Sequence, residues 1–110
     1  MTNEEIDRKC CEFTGIAPIG RYYTGAIPVY PPVSTSWEAA GRLMDALVAK
    51  DMHPWLYYNK LMLKWVGSVD GYGYAGVSEK GPMALALAVV ALADSTKALS
   101  KALPLRKQTP

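Results

Sequence analysis

The sequence predicts an α+β domain: a short N-terminal helix, then helix, three antiparallel strands and a final helix. Three observations predict it. An amphipathic repeat opens behind a Ser/Thr cluster near residue 35. Three short apolar or aromatic runs, parted by turn residues, lie between 54 and 77. A Gly-Pro pair then introduces an unbroken run of apolar helix formers at 82–93. The 110 residues fit a single domain, assigned to 1–103, with a flexible basic tail at 104–110. Half of them are apolar, enough to build a core and to exclude general disorder.

The first element is NEEIDRKCCEF, residues 3–13. Asn3 suits the cap, and Glu4, Glu5 and Asp7 favour the positive end of the helix dipole. Ile6, Cys10 and Phe13 make a small apolar stripe, and Gly15 is the predicted stop. Residues 15–34 hold three glycines and four prolines, too many for a helix, so they form an ordered loop or extended arm. Long loops in small domains often carry function, which directs attention to Arg21, Tyr22 and Tyr23.

Thr35-Ser36-Trp37-Glu38 fits a capping box with Thr35 as the cap. Trp37, Ala40, Met44, Leu47 and Val48, widened by Leu43, then give a helical stripe as far as about Lys50. The strands are read as 54–58 (PWLYY), 61–66 (LMLKWV) and 72–77 (YGYAGV), with Asn59-Lys60 and Asp70-Gly71 as turns. The closing helix starts at Gly81-Pro82, where proline lacks only a donor that would have no partner. Its run MALALAVVALA is apolar on every side and must be covered broadly. Pro104 ends it.

Gly71–Gly76 (GYGYAG) has the spacing of a dinucleotide-binding loop. Such a loop needs a helix beginning inside the motif, then a second parallel strand and an acidic residue about 20 positions on. Val77 to Pro82 intervenes, and only a basic tail follows the helix. The glycines read instead as the small side of a strand against which a helix or ligand can approach closely.

Other chemistry is sparse. His53 is single, has no partner ligand for a metal, and reads as structural or surface. Asp45, Asp51 and Asp70 make no metal-loop pattern. Adjacent Cys10 and Cys11 rarely bridge, and no third cysteine exists, so a disulfide scaffold is excluded and a reducing cytosol expected. The N-terminus lacks the apolar core of a secretory signal, and the 12-residue run Pro82–Ala93 falls short of the about 20 residues a bilayer span needs. No membrane contact, no cofactor and no enzymatic activity are therefore expected. The net charge of +2 demands no polyanion, and Lys97, Lys101, Arg106 and Lys107 read as a solvated tail.

Two layouts satisfy the element order. Both helices can share one sheet face, as in double-stranded RNA-binding domains, or cover opposite faces in an α/β/α sandwich. Aromatic residues on both strand faces favour the second. TNEEIDRKCCEFTGI, YPPVSTSWEAAGRLMDAL, GYGYAGVSEKG and PMALALAVVALA follow in an order that resembles the phage α/β/α ("ABA") sandwich domain family, small proteins of phages and prophages. The resemblance covers residues 1 to about 94 and is carried most by Ser34-Thr35-Ser36-Trp37 and the small-residue final helix. It departs in the arm at 16–33 and the basic end at 97–110. It implies a sandwich fold and a phage setting in the host cytoplasm, and carries over no catalytic residue.

The expected function is that of a non-enzymatic binding protein acting on a host component, either a host protein or a small nucleotide used as a signal, in a counter-defence role. The contact residues assigned are Arg21, Tyr22, Tyr23, Tyr72, Tyr74 and Lys80: rings for stacking and cations for phosphate. The alternatives are a double-stranded nucleic-acid-binding domain, a structural or assembly protein of the phage, for instance as a homodimer, and a hydrolase or nuclease, which activity abolished by changing His53 or Asp70 alone would support.

Overall fold

The computed structural model describes residues 1–21, 28–69 and 75–102, with the side chains of 21 and 97–102 outside that description. The basic tail therefore lies outside the described residues. Helix α1 spans Asn3–Thr14. Its cap is Thr2 rather than Asn3. The Thr2 hydroxyl accepts from Glu5 N (3.2 Å), and the Glu5 carboxylate accepts from Thr2 N (3.2 Å). Glu stands three places after Thr2, not after Asn3, and that spacing moves the cap. The Thr2 backbone N–H also holds the Glu5 carboxyl below its ordinary value. Gly15 ends the helix in the left-handed region (φ 83°), donating its N–H to Cys11 O.

The arm closes into a minimal antiparallel pair, β1 (Gly20–Arg21) with β2 (Pro28–Val29). The chain then returns to α1, where buried Asp7 accepts from Ser34 N at 2.9 Å. That bond satisfies a buried backbone donor that would otherwise cost about 1–3 kcal/mol.

Helix α2 spans Trp37–Ala49 and is capped by Ser36, whose Oγ accepts from Ala39 N. Thr35, the predicted cap, belongs to the preceding turn: the N–H groups of Thr35 and Ser36 both donate to Pro32 O. The buried line of α2 runs through Ala39, Ala40, Leu43 and Leu47, while Trp37 and Val48 from the predicted stripe are exposed. Leu43, which only widened the sequence stripe, is at its centre.

Three antiparallel strands follow, β3 (Pro54–Asn59), β4 (Lys64–Val69) and β5 (Ala75–Ser78), in the order β3-β4-β5. β4 begins three residues later than predicted. Asn59 pairs with Lys64, so 60–63 form the turn, and the Asn59 side chain accepts from both Leu61 N and Met62 N at 3.0 Å. An Asx-type turn of this kind outcompetes the strand that the alternation of Leu61 and Leu63 suggested. Of the predicted strand 72–77, residues 75–77 are extended and 72–74 lie outside the described residues.

Helix α3 (Gly81–Ala102) is the hub. On one side, Ala84, Leu85 and Ala88 meet the sheet at Gly67 and Gly76, which pair across β4 and β5. On the other, α1 packs against it: Cys10 Sγ donates to Ala86 O at 3.3 Å, and Lys9 bridges to Asp94 at 3.1 Å. Ala84, Ala86, Ala88, Val89, Val90 and Leu92 are all buried, as a helix apolar on every side requires. The α+β class, the element order and the antiparallel sheet packed by helices are as predicted. Within that class, the slab in the middle is α3. Sheet lies on one side of it and α1 on the other, and Trp37 of α2 also reaches the α3 side of the sheet through Trp65 (ring centroids 5.3 Å apart). Among the described residues, the contacts of α3 and of Trp37 with the sheet lie on the side of Gly67 and Trp65. Trp55 and Tyr57, which point away from Gly67, stay exposed.

Candidate functional site: the aromatic face of the sheet

Strand alternation sorts the side chains. Gly67 faces α3, and with it go its partner Leu56 and the flanking Tyr58, Trp65 and Val69. The opposite face carries Trp55, Tyr57 and Asn59 from β3, Ser68, Val66 and Lys64 from β4, and Ala75 and Val77 from β5. Trp55 and Tyr57 are stacked, with centroids 5.3 Å apart and planes at 22°. They remain 38% and 44% exposed, and Val77 beside them is exposed too. Their cross-strand partners on the same face, Ser68 and Val66, are buried. Lys64 sits diagonally from Tyr57 on the same face and is exposed. No acidic residue occurs from Met52 to Val69, so this hairpin presents its rings together with positive charge.

The sequence-assigned contact residues are distributed differently. Arg21 is in β1, with its side chain outside the description. Tyr22, Tyr23, Tyr72 and Tyr74 lie outside the described residues. Lys80 is exposed at the start of α3: its N–H donates to Ser78 Oγ, and its carbonyl accepts from Ala84 N. It adjoins Gly81, which abuts the Trp37 ring, and so belongs to the α3 side of the sheet rather than the aromatic face. Trp55, Tyr57 and Lys64 were missed as a site. Their signal was present in PWLYY, where period two separates Trp55 and Tyr57 from the half-buried Leu56.

Two further depressions are lined by described residues. One of ≈ 140 Å³ is formed by Asp7, Arg8 and the β2 strand, and one of ≈ 520 Å³ lies between α1 and α3 over the Lys9–Asp94 pair. Among the described residues no three His, Cys, Asp or Glu side chains group to hold a metal. His53 is exposed.

Both cysteines are free and buried. Burial pushes the Cys11 thiol up from 9.0 to about 11, helped by Asp7, and burial pushes Cys10 further in the same direction. A thiol held up in the folded state contributes stability that is complete below the unfolded value near 9 and is lost as pH rises through about 11. Native protein should react slowly with iodoacetamide at pH 8 and quickly in denaturant. Its urea midpoint should fall above pH 9, and fall less in a Cys11→Ala chain. A midpoint equally flat in both chains would contradict the burial.

The chain matches no family model, no curated protein and no solved structure.

Proposed function

We propose that this protein is a non-enzymatic binding protein and that the aromatic face of its sheet, at Trp55 and Tyr57, takes an aromatic base bearing phosphate, as a nucleotide or as part of a single strand. The supporting observation is the stacked, exposed Trp55–Tyr57 pair, with Lys64 on the same face. A π-face accepts any base, and each base–aromatic stack contributes about 1–3 kcal/mol. A cation at the end of the aromatic column is placed for the phosphate, and no carboxylate within the β3–β4 hairpin opposes it. The resemblance to phage proteins adds the setting: the host cytoplasm, where such a ligand would be sequestered.

The test is fluorescence anisotropy of a short labelled oligothymidylate, with mononucleotides as competitors and duplex RNA as a separate arm. The wild type is expected to bind the single strand with a salt-dependent affinity. Trp55→Ala with Tyr57→Ala is expected to weaken binding at least about tenfold, equivalent to one lost stack. A wild type that binds none of these probes, or a double variant that binds as the wild type does, would sink the reading. Preference for the duplex would transfer it to the double-stranded alternative.

A further inference from the structure

The β3–β4 turn breaks two local rules at once. Turn tips in water favour Gly, Asn, Asp and Ser. Here the tip is Leu61-Met62-Leu63, with Leu61 97% and Leu63 69% exposed. Leu63 also sits at φ 57°, a left-handed conformation in which glycine rests without cost and a branched apolar side chain does not. The turn is not loose, because the Asn59 carboxamide fixes it through Leu61 N and Met62 N. Apolar groups this exposed add almost nothing to folding, and a Leu in a strained position costs stability. Departures from local consistency concentrate at working sites.

Exposed lysines bracket the tip, Lys60 before it and Lys64 after it. Tyr57 and Tyr58 stand on the two faces of β3 just behind, both more than 40% exposed. An apolar point, a collar of cations and a belt of amphipathic rings match the layers of an anionic bilayer surface: acyl chains, phosphates and the interfacial zone. A hydrophobic protein groove would satisfy the leucines but would give no use to cations on both sides of them.

We infer that the 60–64 tip inserts into the interface of an anionic lipid bilayer. The sequence expectation of no membrane contact rested on the lack of a spanning segment, and among the described residues no helix is long and apolar enough to cross. An inserting tip needs none. The apolar point of the tip, Leu61 and Leu63, lies outside the aromatic sheet face, while Lys64 and Tyr57 are common to both.

The experiment is co-sedimentation with vesicles of phosphatidylcholine mixed with phosphatidylglycerol, against pure phosphatidylcholine, at low and physiological salt. Wild type is expected to pellet with the anionic vesicles and less so as salt rises, since exposed charges are screened. The double variant Leu61→Asn with Leu63→Gly suits the turn better than the native residues and should fold at least as well, checked by its thermal melt. It is expected to lose at least about tenfold in partitioning while keeping oligothymidylate binding. Trp55→Ala alone, which leaves Tyr57, Tyr58, Lys60 and Lys64 in place, should show the reverse split, weakening oligothymidylate binding and retaining most vesicle binding. Wild type remaining in the supernatant at both salts, or a folded L61N/L63G chain that pellets as wild type does, would overturn the inference. So would pelleting that is equal with both kinds of vesicle.

Discussion

A Gly76→Val chain is expected to lose about 3 kcal/mol or more of stability, enough to leave much of a marginally stable domain unfolded at moderate urea. Gly76 lies in β5 directly under α3. A Cβ there would run into the Ala84 carbonyl oxygen and stand 2.7 Å from Ala88 N and 2.9 Å from Leu87 Cβ. Two of these obstacles are helix backbone, which cannot rotate away as a side-chain end can. The helix must lift, and Gly67 next door allows no compensation, since a Cβ on it would come within 2.7 Å of the Leu85 backbone. Even Gly76→Ala should be strongly destabilised. Gly41→Ala is the control: nothing lies within 4 Å of its Cβ position, and it is an exposed site inside α2. That change should stabilise by roughly 0.5–1 kcal/mol through helix propensity and unfolded-state entropy. Urea titrations followed by circular dichroism decide it. A Gly76→Ala midpoint equal to wild type would mean that α3 does not rest on β5.

Leu85→Ala is expected to cost roughly 2–5 kcal/mol. Leu85 is fully buried in the cluster that joins α1, α2, β4 and α3, and its backbone abuts Gly67. Close packing on both sides of α3 leaves little freedom for collapse into the space a missing isobutyl group would leave. Leu61→Ala, the same chemical change at the hairpin tip, should stay within about 0.5 kcal/mol of wild type. The pair is read by the same urea series. Equal effects at the two positions would contradict the burial assigned to either.

These two predictions bear on the candidate site as well as on stability. The Gly67–Gly76 seam holds the sheet closely on α3, on the face opposite to Trp55 and Tyr57. A Gly76→Val chain that unfolds therefore reports nothing about ligand binding. The surface variants Trp55→Ala and Tyr57→Ala do, because they alter rings that are exposed.

Much of the fold was legible because local chemistry decides it. Gly15 stops α1 through a left-handed residue, Gly81-Pro82 starts α3, and MALALAVVALA could only be a helix covered on all sides. The errors were of one or a few residues and had local rivals. Thr2 with Glu5 outcompeted Asn3, Ser36 replaced Thr35 once Pro32 O took two donors, and Asn59 turned the chain where alternation promised a strand. The candidate site was less legible. PWLYY displays rings on both faces, and nothing in the string says which set a helix will cover. Arg21, Tyr22 and Tyr23 are chosen for rings and charge in a long loop, Tyr72 and Tyr74 for rings beside the glycines, and the described structure places none of these side chains.

By itself the sequence determined which segments coil, which extend and where most of them stop, because capping, glycine conformation and hydrophobic periodicity act between residues a few positions apart. The tertiary structure alone decided the order of the layers and hence which aromatics stay in water. That choice depends on Gly67 and Gly76, from different strands, meeting side by side so that one sheet face can admit α3 at backbone distance, a coincidence of long-range pairing that no short-range rule contains.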